Sequence, residues 1–185
     1  MAVRRLALLA AALLTAVPSS AAPAAAAPPG ANFRLVSVYA SQHRGIDMCL
    51  NVGGNHLSKG SPFILWPCGS PIANDQFWIS GSENAVTIIS VYATDNTGSP
   101  QCANIGGDHF SNGSPIILWP CGAPPDDQWV ITDLADGDGV FFRAKRILSR
   151  ALNVGGTDHM SNNSPIVLWD SPSVLDNDVW LLKPV

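Results

Sequence analysis

Three tryptophans, Trp66, Trp119 and Trp169, each follow an asparagine (Asn51, Asn104, Asn153) by 15 or 16 residues. An indole offers a flat apolar face, and an asparagine amide can both donate and accept hydrogen bonds. Small-molecule sites combine apolar surface with a few placed polar groups. A sugar ring asks for that combination, because one face is C–H and its edge is hydroxyl. The chain carries no His-Glu-x-x-His, no Gly-x-Ser-x-Gly and no P-loop. No two carboxylates form a recognisable acid/base pair. We therefore nominate no catalytic residue and expect a binding protein rather than an enzyme. No cofactor is implied.

The elements that position these residues come in three copies. The first reads Met48-Cys49-Leu50-Asn51-Val52-Gly53-Gly54, then Ser61-Pro62-Phe63-Ile64-Leu65-Trp66-Pro67-Cys68. The second runs from Gln101 to Gly107 and from Ser114 to Cys121, and the third from Arg150 to Gly156 and from Ser164 to Trp169. A further tryptophan, Trp78, Trp129 or Trp180, closes each copy at a constant spacing of 51, and these three are expected in the core. Upstream, Leu35-Val36-Ser37-Val38-Tyr39 matches Ile88-Ile89-Ser90-Val91-Tyr92, with Val140-Phe141-Phe142 in that place in the third copy. Each copy thus holds four short apolar segments bounded by Gly, Pro, Asn, Asp and Ser, which read as strands and turns. No segment has a helix-length period. The end copies look like the middle one, which favours a closed all-β arrangement over an open solenoid needing caps.

Cys-Leu-Asn-Val, the Gly-Gly turn, Leu-Trp-Pro-Cys and Gln76-Phe77-Trp78 resemble the ricin B-type lectin repeat, and the resemblance covers essentially all of 33–185. It implies a β-trefoil of three pseudo-symmetric repeats of four strands, with repeats at about 33–81, 85–133 and 138–185. It also implies a carbohydrate-binding function with one site per repeat, and glycans or polysaccharide as partners. To the asparagines and tryptophans it adds Asp75 and Gln76, Asp126 and Asp127, and Asn177 and Asp178 as sugar-holding candidates. Two departures stand out. Galactose-binding copies usually carry Asp where this chain has Asn51, Asn104 and Asn153. They often carry Gln where it has Ile64, Ile117 and Val167. A carboxylate makes the stronger hydrogen bonds to hydroxyls, so a different sugar is implied, or a trefoil interaction or inhibitor scaffold that no longer binds sugar.

Cys49 and Cys68 lie 19 apart, as do Cys102 and Cys121. The third copy has Ala151 and Ser171 at the two positions, so both partners are missing together. One bridge within each copy explains this; bridges between copies do not. Alternation along strands then sends Leu50, Val52, Phe63 and Leu65 to the core. If Cys49 faces Cys68 directly, Asn51 faces Trp66, Asn104 faces Trp119 and Asn153 faces Trp169, each as an outward polar–aromatic pair.

Residues 1–27 read as a secretory signal: Arg4 and Arg5, an apolar run from Leu6 to Val17, then small residues to Ala27. The protein is expected to be secreted, which suits disulfides. Removing the leader leaves 8 cationic residues against 14 acidic ones, a net charge of −6. That balance disfavours nucleic acid and anionic membranes as partners, and no later run is long enough to insert in a bilayer. The sequence leaves oligomeric state open. His56, His109 and His159 recur in the Gly-Gly loops, each followed by Leu57, Phe110 or Met160. Three histidines meeting on an axis would make a zinc site. The favoured reading is a hairpin loop whose apolar residue plugs the core, and no metal ligand is nominated.

Overall fold

The computed structural model describes residues 31–107, 110–134, 137, 139–172 and 176–185. The expected leader and its cleavage zone lie outside the described residues, as does His109.

The described chain is all-β apart from three short helical segments. The first copy contributes β1 (Phe33–Ser37), β2 (Met48–Val52), β3 (Phe63–Pro67) and β4 (Phe77–Ser82). The second contributes β5 (Ala85–Ser90), β6 (Gln101–Ile105), β7 (Ser114–Pro120) and β8 (Trp129–Asp133). The third contributes β9 (Val140–Ala144), β10 (Arg150–Val154), β11 (Ile166–Asp170) and β12 (Trp180–Pro184).

Six of these strands close a barrel. β1 pairs with β4, β4 with β5, β5 with β8, β8 with β9, β9 with β12, and β12 with β1, all antiparallel. Closure removes the exposed sheet edges that would otherwise template aggregation. The remaining strands form hairpins β2–β3, β6–β7 and β10–β11. The hairpins meet one another through β11–β7 and through the bridges Pro62↔Ile117 and Ile64↔Pro165. They cover one end of the barrel as a cap. Leu50, Val52, Phe63 and Leu65 are fully buried, as alternation along the strands requires.

Two features differ from the sequence reading. The segments Val38–Arg44 and Val91–Thr97 are α1 and α2, single seven-residue helices, not strand continuations. The cause is local. Ser37 and Ser90 cap them by accepting from the Ala40 and Ala93 N–H, and Gly45 and Gly98 end them in the left-handed conformation. The third copy has Ala144 at the capping position and makes only a turn there.

The second difference concerns the closing aromatic. Phe77 faces Ser90, Trp129 faces Ala144 and Trp180 faces Ser37 in the register of the barrel. Phe77, Trp129 and Trp180 are the three fully buried counterparts. Trp78 is only half-buried and donates its indole N–H to Asn32 Oδ1 at 2.7 Å. The constant spacing of 51 therefore slips by one residue in the first copy. The core position takes a phenylalanine, and the neighbouring tryptophan lies on the barrel flank.

Candidate functional site

Both expected disulfides form, Cys49–Cys68 and Cys102–Cys121, each with Cα atoms 5.0 Å apart. The hairpin register, however, is not the one inferred from direct cysteine pairing. Cys49 faces Trp66, and Asn51 faces Ile64. Cys102 faces Trp119 and Asn104 faces Ile117; Ala151 faces Trp169 and Asn153 faces Val167. The bridge joins residues diagonal across the hairpin, the second lying just past the strand end. Right-handed twist makes such diagonal neighbours accessible to each other. The register moves by two, so every face assignment survives, and the amide and indole share one face without being direct partners.

The outcome for exposure is split. Trp66, Trp119 and Trp169 are 37%, 40% and 44% exposed. Asn51, Asn104 and Asn153 sit beneath them at 1%, 5% and 2%, not outward as alternation alone implied. The asparagines share the strand face of the indoles, and in the third copy the Asn177 amide lies against Asn153. In the first copy Gly53 lies so close to Ile64 that a Cβ there would stand 3.1 Å from its side chain. The Gly-Gly turn therefore folds directly against the branched residue that replaces Gln in this chain.

Two matching cavities result. One of about 360 Å³ is lined by Asn51, His56, Ile64, Trp66, Asn74 and loop residues that include Asn163 of the third copy. The other, about 390 Å³, is lined by Asn153, Gly155, Gly156, His159, Trp169 and Asn177. Both volumes fall in the range of small-ligand sites. In the second copy a cavity of about 460 Å³ lies among Gly60, Gly106, Gly107 and Ser111–Pro115. Its described lining includes neither Asn104 nor Trp119. Lys59 of the first copy holds its ammonium 5.7 Å from the Trp119 ring centroid.

Hydrogen bonding inside the two matching cavities is nearly superposable. Asn74 Nδ2 donates to Val52 O at 2.9 Å, and the His56 Nδ1–H donates to the same carbonyl. Asn177 Nδ2 donates to Val154 O at 3.0 Å and to Asn153 Oδ1 at 2.8 Å, while the His159 Nδ1–H donates to Val154 O at 2.7 Å. One carbonyl with two lone pairs serves both donors. The amide nitrogens of Asn51, Asn104 and Asn153 and the side-chain oxygen of Asn74 are buried with no partner within the protein. Buried polar groups are nearly always paired, and these atoms, with Asp75 Oδ1 and Asp127 Oδ1, are exceptions.

The carboxylates serve the frame. Asp75 accepts from Arg34 Nε at 2.9 Å and from the Gly69 N–H at 2.7 Å. Asp127 accepts from the N–H groups of Gly122 and Ala123 at 2.7 and 3.1 Å. Asp178 accepts from the Ser171 hydroxyl at 2.5 Å. All three are buried and tie the start of the last strand to the loop after the hairpin. Gln76 accepts from Asn32 on the barrel flank at 3.2 Å and does not line the first cavity. Asp126 is half-buried, and its backbone carbonyl accepts from the Ile105 N–H at 2.9 Å.

Sequence reasoning missed Asn74. Aligning on the buried acids Asp75, Asp127 and Asp178 places Asn74 with Asp126 and Asn177; aligning on Trp78 hid that match. It also assigned the histidines no part in the site. Leu57, Phe110 and Met160 do pack against the core, while His56 and His159 turn to the cavities. No group of three His, Cys, Asp or Glu fit to hold a metal occurs among the described residues.

No protein-family model matches the sequence, and no curated protein matches it. Solved structures do match. The designed three-fold symmetric protein ThreeFoil aligns at a TM-score of 0.67 and 19% identity, over 82% of this chain and 96% of that one. A Macrolepiota procera ricin B-like lectin, solved in complex with lactose, aligns at 0.61 and 16% identity, over 82% and 93%. The Polyporus squamosus lectin, solved with a sialylated epitope, aligns at 0.63 and 15% identity over 83% of this chain, which spans 48% of that lectin. The fold of this chain is the fold of ricin B-type lectins.

Proposed function

We propose that this chain, built on the ricin B-type lectin fold, is a secreted carbohydrate-binding protein. In this reading residues 1–27 are removed on export and 33–185 form one β-trefoil domain with up to three weak sugar sites. One observation carries the proposal: in two copies an exposed indole borders a cavity whose lining includes an asparagine with a buried amide nitrogen that has no partner in the protein. The indole would stack on the C–H face of a sugar, and the amide would bond its hydroxyls. That the solved Macrolepiota procera protein of this fold holds lactose supports the reading.

Trp66, Asn51 and Asn74 would form the first site, and Trp169, Asn153 and Asn177 the third. Asn104, Trp119 and Asp126 are the corresponding residues of the second. Asp75, Asp127 and Asp178 would act indirectly, by fixing the loops that wall the sites. Several weak sites on one rigid body gain avidity toward a repeating glycan without any new contact.

A glycan array tests this directly. The wild-type protein is expected to bind at least one glycan class, and the variant W66A/W119A/W169A to lose that binding with an unchanged near-ultraviolet circular dichroism spectrum outside the indole band. Failure of the folded wild type to bind any glycan would leave the interaction-scaffold reading in its place.

A further inference from the structure

We infer that His56 and His159 are the hydrogen-bond acceptors that select the ligand at the first and third sites, and that this ligand is an uncharged sugar. The inference rests on the carbohydrate-binding reading above and deepens it.

The imidazoles are fixed in the same way in both copies. Each Nδ1–H is committed to the carbonyl of Val52 or Val154. A neutral imidazole with Nδ1 protonated leaves Nε2 as a lone-pair acceptor. The Asn74 and Asn177 amides donate to the same two carbonyls, which places their nitrogens 3.1 and 3.2 Å from the committed ring nitrogen. Tyrosines from a neighbouring copy brace the rings edge-on: Tyr92 against His56 with centroids 6.5 Å apart, and Tyr39 against His159 at 6.4 Å. Both tyrosines are the second residues of α2 and α1, so the capped helices exist where they can position these histidines. The equivalent residue of the third copy is Arg146, whose guanidinium lies 4.8 Å from the Phe110 ring centroid in the second copy's loop.

His56 and His159 also adopt positive φ, 63° and 55°. A non-glycine residue pays for that conformation, and such residues concentrate where function over-determines the backbone. Here the twist brings the ring over its own strand's carbonyl and into the wall of the cavity.

The ligand class follows from the lining. Among the described residues, no carboxylate, lysine or arginine lines either cavity. A charged sugar would lose hydration there with no counter-charge. His56, Asn51, Asn74 and the Trp66 indole line the first cavity, and the Asn74 Oδ1 acceptor and the Asn51 Nδ2 donor are buried there without a partner in the protein. Adjacent hydroxyls on one neutral ring, which both donate and accept, satisfy that set. The imidazole thus supplies the acceptor that an aspartate at position 51 would otherwise bring.

The test uses the full secreted protein on an array of neutral, uronate-containing and sialylated oligosaccharides, followed by calorimetric titration with the best neutral binder. The informative variant is H56N/H159N, because asparagine tolerates positive φ and so keeps the loop while removing Nε2. Expected results are binding confined to neutral glycans and a loss of at least tenfold in affinity in H56N/H159N. Affinity within twofold of wild type in that variant, with W66A/W169A abolishing binding, overturns this inference and leaves the lectin reading intact. Preferential binding of acidic glycans overturns it as well. Absence of binding to every glycan by folded wild-type protein overturns both.

Discussion

Asn177 donates its side-chain amide to Asn153 Oδ1 across 2.8 Å, joining the approach to the last strand of the third copy to the hairpin that carries Trp169. The bond leaves the Asn153 amide nitrogen as the group without a partner. Removing the donor should therefore disturb binding more than folding. N177A is expected to lower stability by about 2 kcal/mol, since the amide makes two hydrogen bonds each worth about 1 kcal/mol, and to reduce the number of sugar molecules bound per chain by one. Urea denaturation and calorimetric stoichiometry check the two halves separately.

The slip between Phe77 and Trp78 gives a sharp contrast. Phe77 is fully buried and faces Ser90 inside the barrel, whereas Trp78 lies half-buried on its flank. F77A should cost about 3–5 kcal/mol, as large core truncations do. W78A should cost far less, despite removing the bigger side chain. Chemical denaturation of the two variants side by side decides which aromatic belongs to the core.

Asp75 pairs with Arg34 while its own side chain is wholly out of solvent. Taking away the acid would leave the guanidinium and the Gly69 N–H without their acceptor. D75A is expected to lose about 3 kcal/mol, the low end for a broken buried pair because Arg34 is partly exposed. D75A should also weaken sugar binding at the first site alone, since Gly69 opens the loop that walls it.

Each disulfide closes a loop of similar length, with cysteines 19 apart. On the chain-entropy model each contributes about 3 kcal/mol. C102A/C121A should lose about that amount and still fold, because the third copy folds with Ala151 and Ser171 in those places. Peptide mapping of unreduced protein is expected to recover only Cys49–Cys68 and Cys102–Cys121 links.

Asp170 titrates below its ordinary value of 3.8, first through its hydrogen bond from Arg150 and then through that from Asn112 of the second copy's loop. A carboxylate depressed in the folded state stabilises it above the unfolded pKa and stops doing so as pH falls through the folded one. The effect therefore lies at and below about pH 4. Carbon-detected titration of the Asp170 carboxyl should show the lowered midpoint, and R150M should return it toward 3.8.

Local pattern determined a great deal. Threefold repetition, strand alternation and the joint loss of both cysteines, at Ala151 and Ser171, in the third copy were enough to specify a closed all-β fold, its two bridges and most of its core, though not the choice of Phe77 over Trp78. Each of these depends on period or composition, which a linear chain displays openly. Tertiary structure decided the rest. Whether Cys49 met Cys68 directly or diagonally depended on twist, and with it whether Asn51 faced Trp66 or Ile64. Whether an asparagine on the outer face reached solvent depended on loops from elsewhere in the chain. The pairing of Tyr92 with His56 and of Tyr39 with His159 joins residues 36 and 120 positions apart, and only closure of the barrel brings one copy's helix against another copy's loop.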